Sequence, residues 1–66
     1  MSPPLSTRQM SILYLIVNGC SNKEIAVRLN ISIKTVDAHV STVFKKLSVE
    51  SRVQAAVYAL RKGLVE

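Results

Sequence analysis

The chain has 66 residues, 48% of them hydrophobic, which is enough for the core of one small domain and more than a disordered basic tail would carry. Nine Lys and Arg against four Asp and Glu give a formal net charge of +5, which favours an anionic partner. The longest apolar run, residues 12–17, is far shorter than a bilayer span, and the first residues lack the pattern of a signal peptide. We therefore expect a cytoplasmic protein without a membrane segment.

The residue types that carry most catalytic and metal chemistry are scarce. Cys20 is the single cysteine and His39 the single histidine, so neither a disulfide nor a cysteine-based metal site can form within the chain. The sequence offers no paired carboxylates, no nucleophile with a base and no glycine-rich phosphate loop. We expect no enzyme activity, no cofactor and no metal, with Cys20 as a small apolar residue at a helix start.

The N-terminal part contains a short tail and a first helix. Residues 1–4 include two prolines and are expected to be a linker remnant or a disordered N-terminus, followed by one domain at residues 5–66. Ser6 and Gln9 have the spacing of a capping box, so the first helix should begin after Ser6. It should run to the residue before Gly19, because glycine readily takes the left-handed conformation that ends a helix.

Residues 21–46 have the pattern of two helices joined by a tight turn, which is a helix-turn-helix. Ser21 and Glu24 form the capping box of the first of these helices. Ser32 is placed to cap the next one, only a few residues later. Asn30 lies in the turn and tolerates a left-handed conformation better than other non-glycine residues.

The helix at about residues 33–47 is amphipathic when its residues are advanced at 3.6 per turn. The predicted core stripe comprises Ile33, Val36, Val40, Val43, Phe44 and Leu47. The opposite side comprises Lys34, Ala38, Ser41, Thr42 and Lys45, flanked by Thr35, Asp37, His39 and Lys46. Small side chains between lysines suit the major groove of double-stranded DNA, which admits one helix between rims of phosphate.

A fourth helix should span residues 52–62 and end at Gly63, with Ser51 and Gln54 as its capping box. It is apolar on two sides. One stripe comprises Val53, Ala56, Val57 and Leu60, and the other comprises Ala55 and Ala59. One stripe should cover the core, and the other stripe is left to contact the first helix or a second copy of the chain. The sequence does not decide which stripe has which role. Since no alternation typical of strands occurs, the predicted fold is an all-α four-helix bundle with a central helix-turn-helix and no wing.

From Leu5 to Val65 the chain closely resembles the DNA-binding domain of LuxR/FixJ-type (NarL-like) regulators of bacterial transcription. The matching motifs are Leu5-Ser6-x-Arg8-Gln9, Gly19-x-x-Asn22-Lys23-Glu24-Ile25-Ala26, Thr35-Val36-x-x-His39-Val40, Lys46-Leu47, Ser51-Arg52 and Ala55. The resemblance implies that the third helix enters the major groove, the second crosses the backbone, and the fourth pairs two copies on a two-fold-related site. It also implies an N-terminal receiver or ligand-sensing domain in the full-length protein, and a nucleoid-associated location in a bacterial cytoplasm.

The same resemblance, together with the positions of the lysines, gives the candidate site. The residues expected to face bases are Lys34, Asp37, Ala38 and Ser41. Those expected to face phosphates are Lys23, Thr35, His39, Thr42, Lys45 and Lys46. Those expected at a dimer contact are Ala55, Tyr58, Ala59 and Lys62. Gln9 and Asp37 depart from the family pattern, which usually has Glu and often has a basic or polar residue at these two positions.

The sequence leaves three points open. Asp37 either accepts a hydrogen bond from a cytosine or, as the helix geometry favours, pairs with Lys34 on the helix surface. Arg8 and Arg52 are expected either to cap a helix or to pair with Glu24 or Glu50. The rival function is a helical module that docks on another protein through the fourth helix, although the small residues on the third helix favour DNA over such docking.

Overall fold

The computed structural model describes residues 5–65, so the predicted tail at residues 1–4 lies outside the described residues. The described residues form four α-helices and no strand, which confirms the predicted all-α class. The helices are α1 (Thr7–Val17), α2 (Asn22–Leu29), α3 (Ile33–Leu47) and α4 (Arg52–Arg61). Across residues 5–65, no helix is long and apolar enough to cross a membrane.

Every helix begins after a serine whose hydroxyl accepts a hydrogen bond from the third helical amide. The complete capping boxes predicted for α1 and α2 are present. The box predicted for α4 forms only in part, because the Gln54 side chain accepts from the Glu50 amide at 2.8 Å instead of from Ser51. Ser51 has a φ of −146°, far from the −67° and −74° of the caps of α1 and α2, so the chain enters α4 in a different direction.

The helix ends follow the residues that tolerate positive φ. Gly19 and Gly63 have φ values of 82° and 66°, and Asn30 in the turn between α2 and α3 has a φ of 56°, all as predicted. Ser48 also takes the left-handed conformation, with a φ of 56°, at a position where the sequence indicates only a connector. There the Val49 amide donates to the Phe44 carbonyl at 3.0 Å, which terminates α3.

The core consists of two apolar clusters joined by α1 and α3. The first cluster comprises Ile12, Leu15, Ile16, Cys20, Ile25, Ala26, Val36 and Val40. The second comprises Leu13, Val43, Leu47, Ala55 and Ala59. Phe44 packs against both, and α1 contributes adjacent residues to different clusters, as expected for a helix with a broad buried face. Cys20 is buried in the first cluster, as its predicted apolar role requires.

The prediction that Ile33 belongs to the core stripe of α3 is wrong. Its side chain is 48% exposed, whereas Val36 one turn later is fully buried. Ile33 is the first residue of α3 and lies beside the turn from α2, together with Ile31 and Ser32. Helical periodicity gives the direction of a side chain but not whether another element reaches that far along the helix.

The two stripes of α4 are distinguished by burial. Ala55 and Ala59 are fully buried, while Val53 is 73% exposed and Leu60 55% exposed. The small alanine side chains let the backbone of α4 come close to α1, against which it mainly packs. The prediction that Ala55 and Ala59 contact a second copy is therefore wrong, because both side chains are covered by their own chain.

Because one stripe of α4 is buried and the other is exposed, substitutions at two adjacent residues should change the stability of the domain by very different amounts. Ala59→Leu should lower the free energy of unfolding by about 1–3 kcal/mol, since the new side chain overfills the contact with α1. Leu60→Ala should change the free energy by less than about 0.5 kcal/mol, because Leu60 is exposed. Urea unfolding followed by circular dichroism measures both. A larger loss from Leu60→Ala would mean that the exposed stripe is the one in the core.

Candidate nucleic-acid interface

The exposed side of α3 has small side chains at its centre and a lysine near each end. Ala38 and Ser41 are exposed, and Thr42 is half-buried with its hydroxyl donating to the Ala38 carbonyl at 3.0 Å. Lys34 and Lys45, near the two ends of the helix, are exposed. A flat surface can therefore approach the backbone of α3 closely at its middle while meeting positive charge at both ends.

The first turn of α3 adds backbone donors to this side. Ser32 Oγ accepts from the Thr35 amide at 3.0 Å and lies 2.8 Å from Thr35 Oγ1, so the Thr35 hydroxyl is held at the helix start. The amides of Ile33 and Lys34 belong to the first turn and have no partner within the helix. The positive end of the helix dipole and the Lys34 ammonium thus act in the same region.

Lys23 lies close to this helix start although it belongs to α2. It lines a shallow surface groove together with Val27, Asn30, Ser32 and Ile33. The groove runs along the turn between the two helices. The structure therefore brings Lys23 near the start of α3.

Glu24 carries an acidic charge at the start of α2. Its carboxylate accepts from the Ser21 amide at 2.8 Å, and the Glu24 amide donates to Ser21 Oγ at 3.1 Å. The hydrogen bond from the Ser21 backbone, followed by the contribution of the Ser21 side chain and the charge of Arg28, holds the pKa of Glu24 below its ordinary value. Glu24 is therefore an anchored part of the cap of α2.

Asp37 does not pair with Lys34, and the predicted ion pair is replaced by a contact with α2. Asp37 Oδ1 accepts a hydrogen bond from Asn22 Nδ2 at 2.7 Å. Asn22 Oδ1 in turn accepts from Arg52 Nη1 at 2.6 Å, and Arg52 Nη2 donates to the Cys20 carbonyl. The expectation that Arg52 pairs with a glutamate is also wrong, since its two donors bind an amide oxygen and a backbone carbonyl. Because Asn22 begins α2 directly beside α3, it reaches Asp37 across the helix pair.

Two of the predicted phosphate-facing residues lie on the flank of α3. His39 and Lys46 are both half-buried. Lys46 Nζ donates to Gln9 Oε1 at 2.9 Å, and the same oxygen accepts from the Ser6 amide at 3.0 Å. The Gln9 side chain therefore caps α1 and also binds α3. Within residues 5–65 there is no group of three His, Cys, Asp or Glu side chains placed to hold a metal ion.

The exposed side of α4 is mainly apolar. Val53, Val57 and Leu60 are exposed, and Tyr58 is half-buried with Lys62 Nζ 5.9 Å from the centre of its ring. This distance is within the range of a cation–π contact. Of the four residues predicted at a dimer contact, Tyr58 and Lys62 are thus accessible, and the large exposed side chains lie next to them.

The described chain is thus a compact helix-turn-helix domain. The exposed face of its third helix is basic and has small side chains at its centre. The chain matches the family model described as "Bacterial regulatory proteins, luxR family" over residues 3–59. The chain belongs to this family, which confirms the resemblance found in the sequence. The match includes both helices of the turn and most of α4.

Known proteins agree with this assignment. The chain is 48% identical over 62 residues to the response regulator protein VraR of Staphylococcus aureus, which covers 94% of this chain and 30% of that protein. The solved structure of the transcription factor GerE superposes with a TM-score of 0.85 at 40% identity and covers 94% of this chain and 92% of GerE. A Vibrio cholerae VqmA–ligand–DNA complex superposes with a TM-score of 0.89 at 30% identity, over 97% of this chain and 28% of VqmA.

Sequence reasoning missed the hydrogen-bond chain that reaches Asp37, which runs from Arg52 through Asn22. Asn22 and Arg52 are both first residues of helices, and both are part of the family motifs, but they are 30 residues apart in sequence. No helical spacing links them, because their contact depends on how α2 and α4 meet near Cys20. The one available signal was their position: a polar side chain at the first residue of a helix is free to bind groups outside that helix.

The cap at Ser21 generates a prediction about pH. Because the pKa of Glu24 is lowered in the folded state, its contribution to stability is present above the unfolded pKa and is lost as pH falls through the folded pKa. Ser21→Ala should raise the Glu24 pKa only part of the way, since the backbone donor remains. Titration of the Glu24 carboxyl carbon by NMR measures the shift. Ser21→Thr keeps a hydroxyl cap and is the matched control; a Glu24 pKa unchanged by Ser21→Ala would show that the hydroxyl contributes nothing.

Proposed function

We propose that this chain is the sequence-specific DNA-binding domain of a transcription regulator, with α3 in the major groove and α2 across the DNA backbone. The single observation that carries the proposal is the exposed face of α3, where Ala38 and Ser41 lie between Lys34 and Lys45. The major groove accommodates one α-helix and presents base edges at its floor, so small central side chains permit close approach, while Lys34 reaches bases and Lys45 meets phosphate.

Each side chain is given a role by its place on this face. Ala38, Ser41 and Lys34 face bases, and Asp37 at the edge faces them less directly because its carboxylate is bound to Asn22. The phosphate contacts come from a larger set of polar and basic residues around the rim, supported by the backbone amides at the start of α3. The set comprises Lys23, Thr35, His39, Thr42, Lys45 and Lys46.

We further propose that two copies bind a two-fold-related site through α4. The exposed Val53, Val57 and Leu60 favour contact with a second copy, and Tyr58 and Lys62 lie at the edge of this stripe. Three aliphatic side chains from one short helix offer much less area than a stable obligate dimer buries. The pair is therefore expected to be weak until DNA holds both copies at one site.

The relatives support a wider proposal about the full-length protein. The chain spans about 30% of the length of the curated relatives it matches, which are response regulators. We propose an N-terminal receiver or ligand-sensing domain that controls this one, with chromosomal DNA in the bacterial cytoplasm as the target. Regulation then rests on binding, with no enzymatic step in this domain. GerE is a transcription factor and VqmA forms a complex with DNA, which supports the same function here.

Salt dependence tests the proposal directly. Three or four phosphate contacts from each of two copies should give a slope of log K against log salt on the order of −5 to −7. Lys45→Ala should reduce the magnitude of this slope by about 2 for the pair of copies. Arg61→Ala removes the same charge from α4 and is the matched control, with a change below about 0.5. Fluorescence anisotropy with a duplex selected from a random library measures all three; a slope near zero would favour the protein-docking module instead.

The centre of the α3 face gives a second test. Ala38→Leu should lower the affinity for the selected duplex at least about tenfold, because the added side chain keeps the helix away from the groove floor. Ala38→Ser keeps the side chain small and is the matched control, with a change below about threefold. Neither variant should unfold the domain, since Ala38 is exposed. Equal affinity of both variants would place Ala38 outside the interface.

A further inference from the structure

A chain of hydrogen bonds connects the starts of α4 and α2 with the second turn of α3. Arg52 binds the Cys20 carbonyl and the Asn22 side-chain oxygen, and the Asn22 side-chain nitrogen binds Asp37. Both ends of the Asn22 amide are thus used, one as acceptor and one as donor. This fixes the orientation of the amide, because only this orientation places an oxygen towards the guanidinium and an N–H towards the carboxylate.

The position of Asp37 on α3 leaves two directions open to its side chain. At about 100° per residue, Asp37 lies roughly 60° from Lys34 and 40° from Ser41 around the helix axis. It is therefore at the edge of the exposed face, where the carboxylate is able to point either towards that face or towards α2. The 2.7 Å hydrogen bond from Asn22 selects the second direction.

We propose that Asn22 and Arg52 are positioning residues for DNA recognition, which act by holding the Asp37 carboxylate against α2 and away from the DNA-facing side of α3. This inference rests on the proposed function. Arg52 contributes through Asn22: its guanidinium fixes the amide oxygen and, through the Cys20 carbonyl, ties the start of α4 to the loop before α2. None of the proposed roles of α3 requires Asn22 or Arg52 to touch DNA.

The direction of the Asp37 carboxylate affects DNA binding because the carboxylate is negatively charged. A carboxylate that turns towards the groove adds a negative charge beside the phosphates and close to Lys34, and so opposes binding. At a separation of several ångströms near a protein surface, such a repulsion reduces affinity by about fivefold per copy. The bound carboxylate in the native chain avoids most of this cost. The acid is thus tolerated on a basic face because its side chain is held at the edge.

A double-mutant cycle with the 66-residue chain and the selected duplex tests this inference. Asn22→Ala should weaken binding by about fivefold per copy, because it frees Asp37. Asp37→Ala alone should change affinity by less than about twofold, since the native carboxylate is already held back. The double variant should recover nearly the whole loss. A purely structural defect from Asn22→Ala would remain in the double variant, because removal of Asp37 does not repair the fold.

Two further measurements complete the test. Arg52→Ala should produce a loss of affinity that Asp37→Ala again recovers. Asn18→Ala is the control: it removes a side-chain amide that donates to the Tyr14 carbonyl at the end of α1, and it should leave the affinity unchanged. In the free chain, the side-chain amide resonance of Asn22 in a ¹H–¹⁵N spectrum should shift in both Arg52→Ala and Asp37→Ala, which reports the contacts without DNA.

The outcomes separate the inference from the proposed function. If the wild-type chain binds the duplex but the double variant stays as weak as Asn22→Ala, the positioning role is overturned and DNA binding stands. An unchanged affinity of Asn22→Ala overturns it equally. If the wild-type chain binds no duplex, both the function and the positioning role are overturned. Recovery in the double variant, with the shift of the Asn22 amide resonance, establishes the role.

Discussion

α3 is buried along one side from Val36 to its end, because Val36 and Val40 belong to one core cluster and Val43 and Leu47 to the other. A rotation of this helix about its axis would open both clusters together, and the loss of packed apolar contacts makes such a rotation costly. The side opposite these residues is therefore held towards solvent. The turn at Asn30 and the cap at Ser32 then fix where the helix begins relative to α2. The exposed face of α3, which we propose binds DNA, is therefore a consequence of how the core is packed.

Most local features of the fold were predictable from sequence, since each depends on residues within a few positions of one another. The serine caps, the left-handed Asn30 and the glycines that follow α1 and α4 are of this kind. The left-handed Ser48 and the partial capping box of α4 are the exceptions. Features that depend on the meeting of distant helices were not predictable. The alanine stripe of α4 turned out to be the buried one because it lies against α1, and Ile33 is exposed because no element covers the start of α3. Both required the arrangement of the helices in space.

In the candidate site, too, features within one helix were predictable from sequence, whereas contacts between helices were not. The exposed face of α3 follows from its periodicity, so the places of Ala38, Ser41 and Lys45 were predictable. The hydrogen-bond partner of Asp37 was not, because sequence spacing favours a neighbour on the same helix, whereas the available donor belongs to α2. A polar contact between helices thus changes the role of a residue whose position on its own helix is predicted correctly by periodicity.

Leu5 and Val65, the first and last described residues, pack against the same apolar cluster as α4. Packing of both ends on one cluster brings together parts of the chain that are far apart in sequence, and the entropic cost of closing a flexible loop of nearly the described length is roughly 4 kcal/mol by a logarithmic estimate. The contacts between α2 and α3 close a much shorter loop and carry a smaller entropic penalty. We expect the two central helices to associate before the ends meet during folding. Transient opening would then begin at the outer helices, and amide hydrogen exchange would be slower in α2 and α3 than near the two termini.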